Sequence, residues 1–120
     1  MENSATVLFE LVDQKLQSTA KDIRNRVFSA HRDMPWTPQQ REVLLPLIER
    51  ELDLLIQRIL GVFDNVGSQL PEGVSGWSII DKRDQADIRV PHVNGASADY
   101  ADMWLGYLNS KGRLDRLLEK

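Results

Sequence analysis

The residues best suited to catalysis or metal binding are carboxylates spaced along two predicted helices. Glu49, Glu51 and Asp53 lie on one helix, and Asp99 and Asp102 lie on another. Paired acidic side chains on facing helices hold divalent cations in helical nucleotide hydrolases. One interpretation is therefore a small metal-dependent hydrolase, which requires these carboxylates to converge on one cleft. The competing interpretation is a solvated stripe, because basic and amide side chains flank the acidic residues of the first of these helices.

Other ligands for a metal ion are scarce. The chain has no cysteine, and its two histidines are His31 and His92. His31 lies near the end of a predicted helix, where a basic side chain interacts favourably with the helix dipole. His92 lies in a predicted loop. No glycine pattern matches a phosphate-binding or dinucleotide-binding loop. The sequence therefore predicts no metal centre, no cofactor and no identifiable catalytic residue.

A charged segment, GWSIIDKRDQADIRVPH, interrupts the helical pattern at residues 76–92. Tryptophan, tyrosine and arginine are enriched at the energetic centres of protein interfaces. We therefore expect a protein-binding face around this segment, and its candidate residues are Trp36, Trp77, Asp81, Arg83, Asp87, Arg89, His92, Tyr100 and Trp104. The competing interpretation is a solvated turn that keeps a strand edge from pairing with other chains.

Two long antiparallel helices are expected to position these residues. Apolar side chains recur every three or four residues from Leu8 to Val27, which predicts a helix over residues 5–32. Thr37 and Gln40 form a capping box around Pro38, which predicts a second helix over residues 38–66.

The second helix carries the strongest apolar pattern in the chain. Its seam advances in alternating steps of three and four residues and consists of Leu45, Ile48, Leu52, Leu55, Ile59, Val62 and Val66. Such a period is typical of helix pairs and bundles, so we expect this seam to form the core. Apolar residues flank the seam on both sides, and a homodimer is one way to bury the apolar surface that the fold does not cover.

The remaining elements are shorter. A β-hairpin is predicted over residues 77–81 and 87–90, leaning on the helices through Trp77, Ile79, Ile88 and Val90. A helix over residues 98–109 and a short C-terminal helix over residues 112–119 follow. The expected buried face of the first of these two helices consists of Tyr100, Met103, Trp104, Tyr107 and Leu108. We therefore predict an α+β fold that is mostly α, in a single domain over residues 1–120.

Composition narrows the classes of function. A net charge of −3, spread evenly, lacks the basic footprint that neutralises phosphates, so nucleic acid is not an expected partner. No apolar run is long enough for a membrane span, and the first residues lack the pattern of a secretory signal. The favoured interpretation is a cytoplasmic protein-interaction module of the inhibitor, antitoxin or immunity type, which binds another protein through the charged hairpin. The metal-dependent hydrolase is the alternative.

Overall fold

A computed structural model describes residues 4–64, 72–74, 76–89 and 99–118. Within these ranges the helices are α1 (Ser4–Ala30), α2 (Pro38–Phe63), α3 (Tyr100–Ser110) and α4 (Leu114–Leu118). An antiparallel hairpin of β1 (Ile80–Asp81) and β2 (Ala86–Asp87) lies between α2 and α3 in the chain. The predicted fold, α+β and mostly α, is confirmed. None of the helices in the described ranges combines the length and apolarity needed to cross a lipid bilayer.

The long helices α1 and α2 form an antiparallel pair. The guanidinium of Arg41, in the first turns of α2, lies 5.0 Å from the ring centroid of Phe28, near the end of α1. Farther along the pair, Leu11 of α1 and Leu55 of α2 line one groove. The order of contacts along the two helices is therefore reversed, as expected for helices joined by a short connection.

The start of α2 is the predicted capping box. The Thr37 hydroxyl oxygen accepts a hydrogen bond from the backbone N–H of Gln40 at 3.1 Å, and the Gln40 side-chain oxygen accepts from the backbone N–H of Thr37 at 2.9 Å. Pro38 occupies the first turn, where its missing N–H has no intrahelical partner to lose. This prediction is confirmed in both of its hydrogen bonds.

Removing the cap is expected to weaken the fold measurably. Thr37→Ala should lower the free energy of unfolding by about 1 kcal/mol, and Gln40→Ala should lower it by less. The double variant should lose less than the sum, because the two reciprocal bonds hold the same helical turn and losing either one loosens the other. Urea unfolding followed by circular dichroism measures all three variants. Full additivity would show that the two bonds act independently.

The core lies where α3 packs against α1 and α2. Trp104 and Leu108 of α3 are completely buried. The Trp104 ring stacks on Tyr107 at a centroid distance of 5.3 Å and meets the edge of Phe9 of α1 at 5.4 Å. Its indole N–H donates to the backbone carbonyl of Asp53 in α2 at 3.1 Å. One side chain of α3 thus contacts both long helices.

An ionic network links the helices beside this aromatic cluster. Asp13 of α1 and Asp53 of α2 are buried, and Arg113, between α3 and α4, pairs with both of them at 2.8 and 2.5 Å. Arg116 of α4 donates to Asp53 at 3.1 Å, and the Tyr107 hydroxyl donates to Asp13 at 2.9 Å. Two buried carboxylates are thereby neutralised by arginines that lie far away in the sequence.

Burial and hydrogen bonding shift the pKa values of this network. Burial alone would lower the pKa of Arg113, but its hydrogen bonds to Asp53 and Asp13 outweigh burial and raise it. Burial and the neighbouring Asp13 carboxylate both raise the pKa of Tyr107. Arg113 therefore stays charged and Tyr107 stays protonated, which is the state that the hydrogen bonds require.

The predicted phase of α2 is wrong for the later part of the seam, although Leu52 packs against the core as predicted. Leu55, Ile59 and Val62 of the expected core seam are 50%, 45% and 48% exposed, whereas Asp53, expected on a solvated stripe, is 1% exposed. Apolar residues surround α2, so the period of the seam does not determine which side faces inward. The arginine partners of Asp53 make its side of the helix the buried one. Val66 lies outside the described residues.

The hairpin is shorter than predicted. Each strand has two residues, paired as Ile80 with Asp87 and Asp81 with Ala86, and the N–H of Ile88 adds one bond to the Ile79 carbonyl at 2.9 Å. Ile88 is buried and Ile79 packs against the core, as predicted. Trp77, predicted to lean on the helices, is 45% exposed instead. Val90 lies outside the described residues.

Candidate functional site

Tyr100 fastens the hairpin to the helices. Its buried hydroxyl accepts a hydrogen bond from the backbone N–H of Ile79 at 2.6 Å and donates to the Asp87 carboxylate at 2.8 Å. Burial raises the pKa of this hydroxyl, which keeps it available as a donor. On the opposite strand, the hydroxyl of Ser4 in α1 donates to Asp81 at 2.8 Å. The hairpin is thus held at both strands.

Asp64 anchors the end of α3 from which Tyr100 projects. Its two carboxylate oxygens accept from the backbone N–H groups of Tyr100 and Ala101 at 2.9 and 3.0 Å. Asp99, at the N-cap position, makes no capping bond with its own side chain. The end of α2 therefore supplies the cap of α3, and the negative charge interacts favourably with the N-terminal end of the helix dipole.

Asp81 clamps Arg83 at the tip of the hairpin. It accepts from the backbone N–H of Arg83 at 2.9 Å and from the guanidinium at 2.6 Å. These hydrogen bonds hold the pKa of Asp81 well below its usual range and raise the pKa of Arg83. The arginine side chain remains 72% exposed, so the clamp fixes its direction while leaving it accessible.

Asp87 and Arg89 repeat the same Asp-x-Arg arrangement. Asp87 accepts from the Arg89 backbone at 2.8 Å and from its guanidinium at 2.6 Å. Partial burial on its own would raise the pKa of Asp87, but the bonds from Arg89 and Tyr100 outweigh it and lower the pKa. The Arg89 guanidinium also lies 4.8 Å from the Tyr100 ring centroid. Arg89 is therefore fixed against the fold, unlike the outward Arg83.

The turn between the strands is ordered by its own side chains. Gln85 adopts the left-handed conformation, with φ of 59°, and its N–H donates to the Asp81 carbonyl at 2.8 Å. The Asp84 carboxylate accepts from the backbone N–H of Ala86 at 3.0 Å. Several charged residues of the turn therefore serve its geometry as well as its solvation.

A groove separates the hairpin from the first turns of α1. It has a volume of about 330 Å³, and Val7, Leu11, Ile80 and Arg83 are among its lining residues. Ile80 and Leu11 are 44% and 55% exposed. We call these four residues the hairpin face. The binding residues predicted from the sequence do not include Val7, Leu11 or Ile80. Strand alternation does indicate that Ile80 points away from the side of the inward Ile79.

The other predicted aromatic and histidine residues do not join this face. Tyr100 and Trp104 are fully buried, because the hydrophobic core takes the large aromatic rings of α3. Trp36 packs on Phe28 at 5.3 Å. Phe28 lies 24 positions along α1 from Ser4, the residue that touches the hairpin, or about 36 Å at the rise of an α-helix. His92 lies outside the described residues.

Trp77 and Arg89 line a second groove on the hairpin. It is bounded also by Asp64, Phe63 and Asp99 and has a volume of about 360 Å³. Of the predicted candidates, the structure therefore brings Asp81 and Arg83 to one groove and Trp77 and Arg89 to another. Asp87 is hydrogen-bonded to Tyr100 and Arg89.

The carboxylates considered for metal binding do not come together. Asp53 faces arginines in the buried network, while Glu51 and Asp102 are exposed on different helices. Within the described ranges, no three acidic or histidine side chains are close enough together to hold a metal ion. The convergence that the hydrolase interpretation requires is therefore not observed among these residues.

Comparisons with protein-family models, with curated proteins and with solved structures find no match for this chain. The fold and the site therefore describe the class of protein by its architecture. It is an α-rich α+β protein in which a short hairpin is fastened to a helical pair and presents an apolar groove beside a clamped arginine.

Proposed function

We propose that the protein is a binding module for another protein, acting in the cytoplasm, and that the hairpin face is its recognition surface. The observation that carries this proposal is the accessible Arg83 guanidinium, held by Asp81 beside the exposed side chain of Ile80. Arginine is one of the residues enriched at the energetic centre of protein interfaces.

The rigidity of the hairpin supports the proposal. Ordering a flexible arginine side chain on binding costs about 0.5–1.5 kcal/mol, and the Asp81 clamp meets part of that cost in the free protein. The strands are held by Tyr100 and Ser4, so the groove between Ile80 and Leu11 is also formed before a partner arrives. The expected partner inserts an apolar side chain into this groove and offers hydrogen-bond acceptors to Arg83.

A recognition surface that is ordered before binding suits an inhibitor or an immunity-type protein, whose pre-formed surface blocks a partner. Trp77, on the second groove, extends the exposed aromatic surface around the hairpin. Arg89 is not expected to contact the partner directly, because its side chain lies on the Tyr100 ring and is 31% exposed, against 72% for Arg83.

The test is capture of the partner from a lysate of the source cell with hairpin variants. The double variant Ile80→Ala with Arg83→Ala should reduce capture at least about tenfold, equivalent to 1.4 kcal/mol or more of binding energy. Its melting temperature should stay close to that of the wild type, because both side chains are exposed.

Arg26→Ala is the matched control, since it removes an exposed arginine from α1, far from the hairpin. It should leave capture unchanged. If the double variant captures the same partner with the wild-type yield, the hairpin face is not the recognition surface. Its charges would then serve the turn and the strand edge alone.

A further inference from the structure

The outward side of α2 is unusually apolar for a surface helix. Between residues 43 and 62 its exposed residues are Val43, Pro46, Leu47, Glu51, Leu55, Arg58, Ile59 and Val62. Two of these eight are charged, and the opposite side of the helix is already covered by α1 and α3. Helices that are apolar on every side are normally buried on every side. An exposed patch of this kind marks a contact surface.

Five of these residues form a single stripe along the helix. Leu47, Glu51, Leu55, Arg58 and Val62 are separated by steps of four, four, three and four residues, so they lie on one face. We call them the outer stripe. It has an apolar residue at each end and one at the centre, with an acidic residue on one side of the centre and a basic residue on the other.

The order of the outer stripe is self-complementary. Glu51 and Arg58 are equally far from the point between residues 54 and 55, and so are Leu47 and Val62. A two-fold axis through that point sets an antiparallel copy of α2 against the first. Each Glu51 then faces Arg58 of the second copy, and each Leu47 faces Val62. Symmetric interfaces require such self-complementarity.

We propose that the outer stripe is the contact surface of a symmetric homodimer in which two α2 helices cross antiparallel near Leu55. The opposite charges select this alignment, because a parallel pair would place Glu51 against Glu51 and Arg58 against Arg58. In the free chain, Glu51 forms an exposed ion pair with its neighbour Arg50 at 3.2 Å, which is weak enough to be exchanged.

An apolar groove beside the stripe accommodates the second copy. It lies between α1 and α2, has a volume of about 400 Å³, and is lined mainly by aliphatic side chains, Leu16, Leu52, Leu55 and Ile56 among them. Leu11, at one end of it, also belongs to the hairpin face. Aliphatic residues at the margin of the stripe, such as Ile59, are the side chains that a second copy would bring to this groove. The dimer therefore buries the surface that the fold leaves exposed.

Sedimentation equilibrium on the full chain and its charge variants tests the proposal. The wild type should sediment with twice the chain mass. Glu51→Arg and Arg58→Glu should each raise the dimer Kd at least about tenfold, because like charges then face each other. The double variant should return the Kd to within about threefold of the wild type, since the pair is restored with its signs exchanged.

Rescue by the double variant reports on contact between copies, because residues 51 and 58 lie two helical turns apart within one chain. Leu55→Asp should abolish the dimer while leaving the helical signal intact. The double variant Ile80→Ala with Arg83→Ala, in the hairpin face, should keep the dimer and so separates this proposal from the recognition surface. A wild type that stays monomeric up to about 0.1 mM overturns the proposal and leaves the stripe to a different protein. Single and double charge variants with equal Kd values also overturn it.

Discussion

Replacing Asp53 by alanine is expected to lower the free energy of unfolding by about 3–5 kcal/mol, the range found when one partner of a buried ion pair is removed. Asp53 is 1% exposed and accepts hydrogen bonds from Arg113 and Arg116. Without it, Arg116 loses its carboxylate partner and Arg113 retains only Asp13. The positive charges of the two arginines then remain largely buried, with fewer carboxylate oxygens to neutralise them.

Urea unfolding at a fixed low protein concentration measures this loss. Asp22→Ala is the matched control, because Asp22 is an exposed aspartate of α1, and its change should stay within about 0.5 kcal/mol. A loss below about 1 kcal/mol for Asp53→Ala would show that the arginines find other partners. The network would then contribute little to the stability of the helical assembly.

Trp104→Ala is expected to cost a similar amount, about 3–5 kcal/mol, through a different mechanism. The side chain is completely buried between α1 and α2, so its removal leaves a cavity lined by Phe9 and Tyr107. The hydrogen bond from its indole to the Asp53 carbonyl is lost as well.

Trp77→Ala provides the comparison for this variant, since the same side chain is removed from a site that is 45% exposed. Its cost should be below about 1 kcal/mol. Far-UV circular dichroism is the appropriate signal, because tryptophan fluorescence changes with the substitution itself. Equal losses for the two variants would contradict the burial of Trp104.

Local patterns predicted the helices well. The capping box of Thr37 and Gln40 fixed the start of α2, and the predicted helices over 5–32 and 98–109 correspond to α1 and α3 within about two residues. These features depend on neighbours in the sequence. They can be inferred because the side chains that satisfy the backbone lie within one helical turn of it.

The orientation of α2 depended on distant residues and was not predictable in the same way. Asp53 looks like a surface residue until Arg113, sixty positions away, is placed beside it. The aromatic residues posed a related problem, because tryptophan and tyrosine are common both in cores and at interfaces. Trp104 was expected on the buried face of its helix and was also named as a binding residue, and it lies in the core. Trp77 was expected to lean on the helices and was also named as a binding residue, and it is exposed.

At the hairpin, the sequence indicated the charged residues but not which arginine is exposed and which packs against the fold. Asp81 with Arg83 and Asp87 with Arg89 have the same spacing, yet one arginine points outward and the other lies on Tyr100. That difference arises from the ring of α3, which reaches only the second pair. The apolar half of the hairpin face was missed because Leu11 belongs to a helix some seventy residues earlier in the chain.

The sequence separations in the ionic network also determine the order in which the fold can be completed during translation. The ribosome synthesises α1 and α2, with Asp13 and Asp53, well before Arg113, which follows them by 100 and 60 residues. Until then, docking α3 against the helical pair would enclose two carboxylates without a cation, at a high cost in desolvation. The nascent chain therefore gains little by docking its helices early. We therefore expect the native packing of α3 and α4 to be completed late, once Arg113 and Arg116 have emerged.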